Sequence, residues 1–253
     1  MQQKFIPGIY NYCDRWCERC TFTGHCRNYE STGKLSPEQL DINNKAFWET
    51  ISSYFQKTIE MLHEAAGKYG IDLVMNKEEE KAYHEHQSFI DTSAKKHLLS
   101  KLCKQYQKLI LPFLKQNDSD LVDTTRALTQ HPDPGIIEEA DLIHTVAGMS
   151  DCYEIIQWYV YFIDAKLQRA LHGKSEGEEW EEENGYQKDS DGSARIALMA
   201  VEKSMAAWVR LYELLPASTD IILNALVLLQ QLQQAVNIEF PKAMLFKRPG
   251  FDG

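Results

Sequence analysis

The sequence predicts an all-α fold: a helical bundle of five to seven helices with an N-terminal cysteine-rich metal-binding loop. Three observations predict it. Apolar residues recur at three- and four-residue steps through most of the chain beyond residue 43, the spacing of buried helical faces. No stretch shows the alternation of a half-buried strand, and no repeat period stands out. Four of the six cysteines fall between Cys13 and Cys26, spaced C-x3-C-x2-C-x5-C, while only Cys103 and Cys152 lie elsewhere.

Residues 1–34 carry Tyr, Cys, Arg and Gly without either periodicity and are expected to form a compact loop around the metal. The bundle is expected over 35–253. Ser36, Pro37 and Gln39 read as N-cap, first helical position and third position of a capping box. A helix over 43–69 follows, ending before Gly70. Its Trp48, Ile51, Phe55, Ile59, Leu62 and Ala66 mark one buried face.

A second helical stretch runs from Lys77 to Leu111, with Pro112 expected to kink or end it by removing a backbone donor. His131-Pro132-Asp133-Pro134-Gly135 is a breaker. Helix is expected from Ile136 to His172, interrupted at Gly148-Met149-Ser150. Within it Ile155–Phe162 is apolar nearly all round and is expected to be central. Gly173 to Gly192 reads as a mobile acidic loop, since Glu176, Glu178, Glu179, Glu181, Glu182 and Glu183 are interrupted by Gly and Ser. Helices resume over 193–215 and 219–236, and the tail beyond Glu239 is apolar enough to pack back on the bundle.

Composition excludes several classes. The chain has 253 residues, is 43% hydrophobic and 25% charged, and so resembles an ordinary globular protein able to bury a core without staples. A net charge of −10 with no long basic face argues against nucleic acid as a partner. The first residues hold no apolar leader segment. The longest apolar runs, Ile155–Ile163 and Ile221–Leu229, fall short of the ~20 residues that span a bilayer. A cytoplasmic location, with no membrane partner, is the expectation. Thiols stay reduced there, so a tight cysteine group reads as a metal site rather than a disulfide framework.

Two metals suit Cys13, Cys17, Cys20 and Cys26. Zinc takes four thiolates, but its structural sites usually come as two C-x2-C pairs held apart. Here one loop carries every ligand, with a single C-x2-C pair, and a 4Fe–4S cube accepts sequential cysteines at its separate corners. The Cys17-x2-Cys20-x5-Cys26 ending, with Cys13 upstream, resembles the 4Fe–4S loop of endonuclease III-type DNA glycosylases and of iron–sulfur nucleases of CRISPR adaptation. That resemblance implies that these four cysteines ligate a cluster. It covers only this loop, with a shorter first gap and an N-terminal position, and no catalytic lysine–aspartate pair accompanies it. The cluster carries over; the DNA chemistry does not. The first three cysteines also match the C-x3-C-x2-C spacing of radical S-adenosylmethionine enzymes, but a fourth cysteine and a helical remainder oppose that reading. Arg15, Arg19, Arg27 and His25 could offset the charge of a four-thiolate site, and Tyr10, Tyr12, Trp16, Phe22 and Tyr29 could shield it. His25 as a ligand stays open.

A ferritin-like di-metal site is the other candidate, from Glu60, His63, Asp141 and His144 with Glu85 and Glu202 on intervening helices. Helix geometry opposes it: Glu60 falls about 165° and His63 about 105° from the apolar stripe of their helix. Asp141 and His144 fall about 130° and about 70° from theirs. His84 and His86 stand about 200° apart and cannot share a metal. Cys103 and Cys152 read as core residues rather than nucleophiles. No phosphate loop, nucleophile elbow or H-E-x-x-H motif is present. The expectation is therefore a metal-binding helical protein with a structural, sensing or protein-interaction role. The alternative is a metal-dependent oxidoreductase working through the cluster or the bundle carboxylates.

Overall fold

Capping chemistry sets the first helix boundaries. In the computed structural model, which describes residues 4–32, 35–115, 122, 126 and 139–252, the Gln39 side chain accepts the Ser36 N–H at 3.0 Å. This closes the capping box expected there and starts α2 (Pro37–Leu40), which follows a short α1 (Arg27–Thr32). Asn44 Oδ1 accepts the Ala46 N–H at 3.0 Å and opens α3 (Lys45–Tyr69). Gly70 ends it at φ 65°, a left-handed conformation that suits a residue without Cβ. Then come α4 (Lys77–Lys96), α5 (Leu98–Leu114), α6 (Glu139–Glu176), α7 (Glu179–Glu183), α8 (Asp189–Leu214) and α9 (Thr219–Glu239). Among the described residues the protein is all-α with no strand, and nine helices replace the expected five to seven.

The extra helices have local causes. His97, with extended backbone at ψ 152°, divides the expected 77–111 stretch, and its Nδ1 accepts the Leu99 N–H at 3.3 Å as an N-cap. Pro112 does not end α5, which runs to Leu114. The next residue, Phe113, is 4% exposed and stacks on Tyr153 at 5.5 Å, so packing holds the last turn. No break occurs at Gly148-Met149-Ser150. Met149, Cys152, Tyr153 and Ile156 form one continuous buried face through it, and a Cβ at Gly148 would collide with the Arg210 guanidinium lying on that turn. The breaker expected at 131–135 lies outside the described residues.

The chain divides into two compact units, Met1–Phe89 and Ile90–Gly253. In the first unit α2 packs on α3, and Gln39 Nε2 donates to Thr50 Oγ1 at 3.1 Å. The buried face expected on α3 is overturned in most of its length. Ala66 is buried, but Trp48, Phe55, Ile59 and Leu62 are each about half exposed or more. Periodicity marks an amphipathic face without saying that anything covers it.

In the second unit α5, α6, α8 and α9 form a four-helix bundle in which each helix packs on two others, in the ring order α5, α6, α8, α9. Side-chain bonds fix the antiparallel senses. Ser100 meets Gln168 and Gln107 meets Asp164 between α5 and α6; Arg169 meets Asp189 and Tyr159 meets Lys203 between α6 and α8. The expectation that 155–162 is central holds for Ile156, Tyr159 and Val160, while Tyr161 is exposed. By length and composition Pro216–Glu239 is long and apolar enough to cross a membrane, although its unbroken apolar runs are short. One face of it, Ile222, Ala225, Leu229, Leu232 and Val236, is fully buried.

The 173–192 stretch is shorter in loop than expected. α6 continues to Glu176, α7 covers 179–183, and α8 begins at Asp189. Glu178 is 8% exposed and accepts from both the Ser190 N–H, at 2.7 Å, and the Ser190 hydroxyl. It thus satisfies donors at the N-terminus of α8, where negative charge is favoured. The tail packs back as expected, through buried Phe240, Ala243 and Phe246.

Candidate metal centre

Residues 4–26 fold as three 3-10 turns, Ile9–Asn11, Cys17–Arg19 and Thr23–His25, around one fully buried apolar residue, Ile9. The cysteines mark the turn borders. Cys17 opens the second turn, Cys20 closes it, and Cys26 closes the third, each closing residue with extended backbone. That geometry leaves backbone donors facing sulfur. Phe22 N–H donates to Cys20 Sγ at 3.4 Å, and Tyr29 N–H, from the first turn of α1, donates to Cys26 Sγ at 3.5 Å. Cys13 Sγ donates to the Tyr10 carbonyl at 3.6 Å.

All six cysteines are free thiols, and Cys13, Cys17, Cys20 and Cys26 are half-buried. Burial pushes the Cys17 thiol up, and the negative charge available at Cys13, Glu18, Cys20 and Cys26 pushes it further. The sulfurs of Cys13, Cys20 and Cys26 therefore lie within electrostatic reach of Cys17. They do not converge on a point: among the described residues, no three His, Cys, Asp or Glu side chains are placed to hold one metal ion. Electrostatic reach extends well beyond coordination distance, so charge coupling without convergence is consistent.

The residues expected to surround the site fall into two groups. Tyr10, Tyr12, Trp16 and Phe22 are half-buried, whereas Tyr29 is 38% exposed. The Arg19 guanidinium lies 3.9 Å over the Trp16 ring, a cation–π pair. His25 is exposed and tied to the N-terminal segment: its Nδ1 is 3.1 Å from the Lys4 carbonyl, and its own carbonyl accepts the Ile6 N–H. A Lys4–Glu30 ion pair of 2.7 Å links the same segment to α1, and the Tyr54 hydroxyl donates to the Ser31 carbonyl at 3.4 Å, linking α1 to α3. Arg15 adopts φ 60°, the one left-handed residue other than glycine among those described. No sequence signal marks it, since arginine has no preference for that region.

The ferritin-like candidates do not share this character. Glu60, His63, Glu85, His144 and Glu202 are exposed, and Asp141 lies where only the backbone is described. Glu60 accepts from Gln56 and Glu202 from Gln233, both ordinary surface bonds. His84 and His86 are exposed too, while Cys103 and Cys152 are 2% exposed and their thiols are pushed up by burial. No family model, curated protein or solved structure matches the chain.

Proposed function

We propose that Cys13, Cys17, Cys20 and Cys26 hold a 4Fe–4S cluster, and that the chain is a metal-binding helical protein whose N-terminal loop serves a structural, sensing or protein-interaction role. One observation carries the reading: four unbridged thiols share one loop, three of them within reach of the charge of Cys17, with backbone donors on two of the sulfurs. N–H donors of this kind set the charge and potential of metal-bound thiolates. Sequential cysteines on one loop with a single C-x2-C pair suit a core with four corners better than one zinc ion, which is the alternative occupant. Bound there, a cluster would supply a one-electron couple and a cross-link among three short turns that share little core of their own.

Metal content and an absorption spectrum of anaerobically purified protein test this. Broad visible absorption with iron and sulfide in equal amount, lost in Cys17→Ser while most helicity remains, is the expected result. Colourless protein with stoichiometric zinc would remove the cluster, and protein with neither metal would remove the site. Cooperative loss of helicity in Cys17→Ser would extend the metal's role from the loop to the whole fold.

A further inference from the structure

We propose that α3 pairs antiparallel with α3 of a second copy of this chain, and that this seam makes the protein a two-fold dimer. Trp48, Phe55, Leu62 and Tyr69 stand at seven-residue steps along α3, and each is between 55% and 69% exposed. Ile59, on the same stripe, is exposed too. The helices α1 and α2 leave the stripe open. They attach to α3 through Tyr54 and Thr50, which lie about 90° and about 130° round the helix from it.

A strict seven-residue step is the period of one helix wound against another, since it keeps the same seam turned toward the partner over several turns. The stripe is complementary to itself. About a two-fold axis between Thr58 and Ile59, Trp48 of one copy faces Tyr69 of the other, Phe55 faces Leu62, and Ile51 faces Ala66. A parallel pair would instead set Trp48 against Trp48 and Phe55 against Phe55, which overpacks the seam. Around the antiparallel axis the borders hold Ser52, Gln56 and Thr58, so no like charges meet there. The Trp48 indole N–H already donates to the Ile42 carbonyl at 2.9 Å, so covering the ring strands no donor.

The area is that of a specific dimer. With up to ~150–250 Å² available on each aromatic side chain, the exposed fractions leave about 600 Å² on one copy. A pair then buries about 1,200 Å², above the ~1,000 Å² that separates a specific interface from a casual contact. A lipid surface is the poorer occupant. The polar side of α3 sets Glu49, Glu60 and Glu64 against Lys57 and Lys68, so it offers anionic headgroups no basic face.

Sedimentation equilibrium of the full-length protein, kept reduced so that no thiols bridge, tests this. A dimer with a Kd below about 50 μM is expected. Phe55→Glu should weaken it at least about tenfold with the circular dichroism unchanged, because the side chain is exposed. Glu60→Ala, on the far side of the helix, should leave it within about twofold. Orientation is read by a charge swap: Phe55→Lys and Leu62→Glu each weaken the dimer, and the double variant associates at least about tenfold more tightly than either. Monomer up to about 50 μM would overturn the proposal and leave the stripe to another part of the chain or a different protein. A dimer indifferent to Phe55→Glu would also overturn it, as would a double variant no tighter than the single ones.

Discussion

The indole N–H of Trp208 donates to the Tyr106 hydroxyl at 2.9 Å, joining α8 to α5 between side chains that are 0% and 1% exposed. It is a polar bond at the centre of a bundle otherwise closed by Phe113, Tyr153, Ile156 and Leu211. Tyr106→Phe leaves the Trp208 donor buried without a partner and should cost about 1–3 kcal/mol. Urea denaturation followed by tryptophan fluorescence measures it. An unchanged midpoint would mean that the core relaxes enough to admit water.

The same core sets an alkaline limit. Burial pushes the Tyr106 hydroxyl up, against the bond from Trp208, and likewise raises the Cys103 and Cys152 thiols. The folded state keeps these protons after the unfolded chain has released them. Their contribution is therefore complete below the ordinary values, ~8.5 for thiol and ~10 for tyrosine, and is lost as pH rises above them. Denaturation midpoints should fall from about pH 9 upward, less steeply in Cys103→Ala than in the parent.

The acid side has the opposite sign. Arg248 forms two side-chain bonds to Asp252, at 2.9 and 2.6 Å, which hold that carboxyl down at about 2. Its stabilisation is present above the ordinary carboxylate value and is lost as pH falls through about 2. Asp252→Asn should lose roughly 1–2 kcal/mol at neutral pH, and parent and variant should converge near pH 2. Thermal melts across that window decide it. Glu182, held down by Lys188 and Lys242, changes in the same direction but is exposed and adds little.

Gly148→Ala should be neutral or stabilising by about 0.5–1 kcal/mol. The new methyl meets only the end of the exposed Arg210 side chain, which can swing away, and alanine is the better helix former. A loss above ~1 kcal/mol in a calorimetric melt would show that Arg210 is held firmly on that turn.

Arg15 separates Cys13 from Cys17 with its backbone at φ 60°. Arg15→Gly should be tolerated, whereas Arg15→Val places a β-branched residue where it fits worst and should cost at least ~1 kcal/mol of local stability. Amide exchange over 13–26 should therefore quicken in the valine variant alone. Equal rates in both would place the stability of this loop elsewhere.

Local chemistry was legible in the sequence where side chains act on their own backbone. Ser36, Pro37 and Gln39 announced α2, and Gly70 the end of α3, because capping depends on neighbours only. Pro112, Gly148 and the acidic run misled because tertiary partners decided them: Phe113 on Tyr153, Arg210 across Gly148, Ser190 on Glu178. The α3 stripe misled for a related reason, since amphipathicity is a property of one helix and burial a property of two. At the candidate site the cysteines were visible and their surroundings were not. Backbone donors to Cys20 and Cys26 and the left-handed Arg15 carry no compositional mark.

α4 belongs to both units, since the division at Phe89 and Ile90 falls inside it. Its two pieces, 77–89 and 90–96, are short against the ~12–15 residues an isolated helix needs, and helix propagation is far easier than nucleation. Residues 90–96 therefore owe their helicity to the second unit's core, where Ile90 and Ala94 are buried, rather than to propensity.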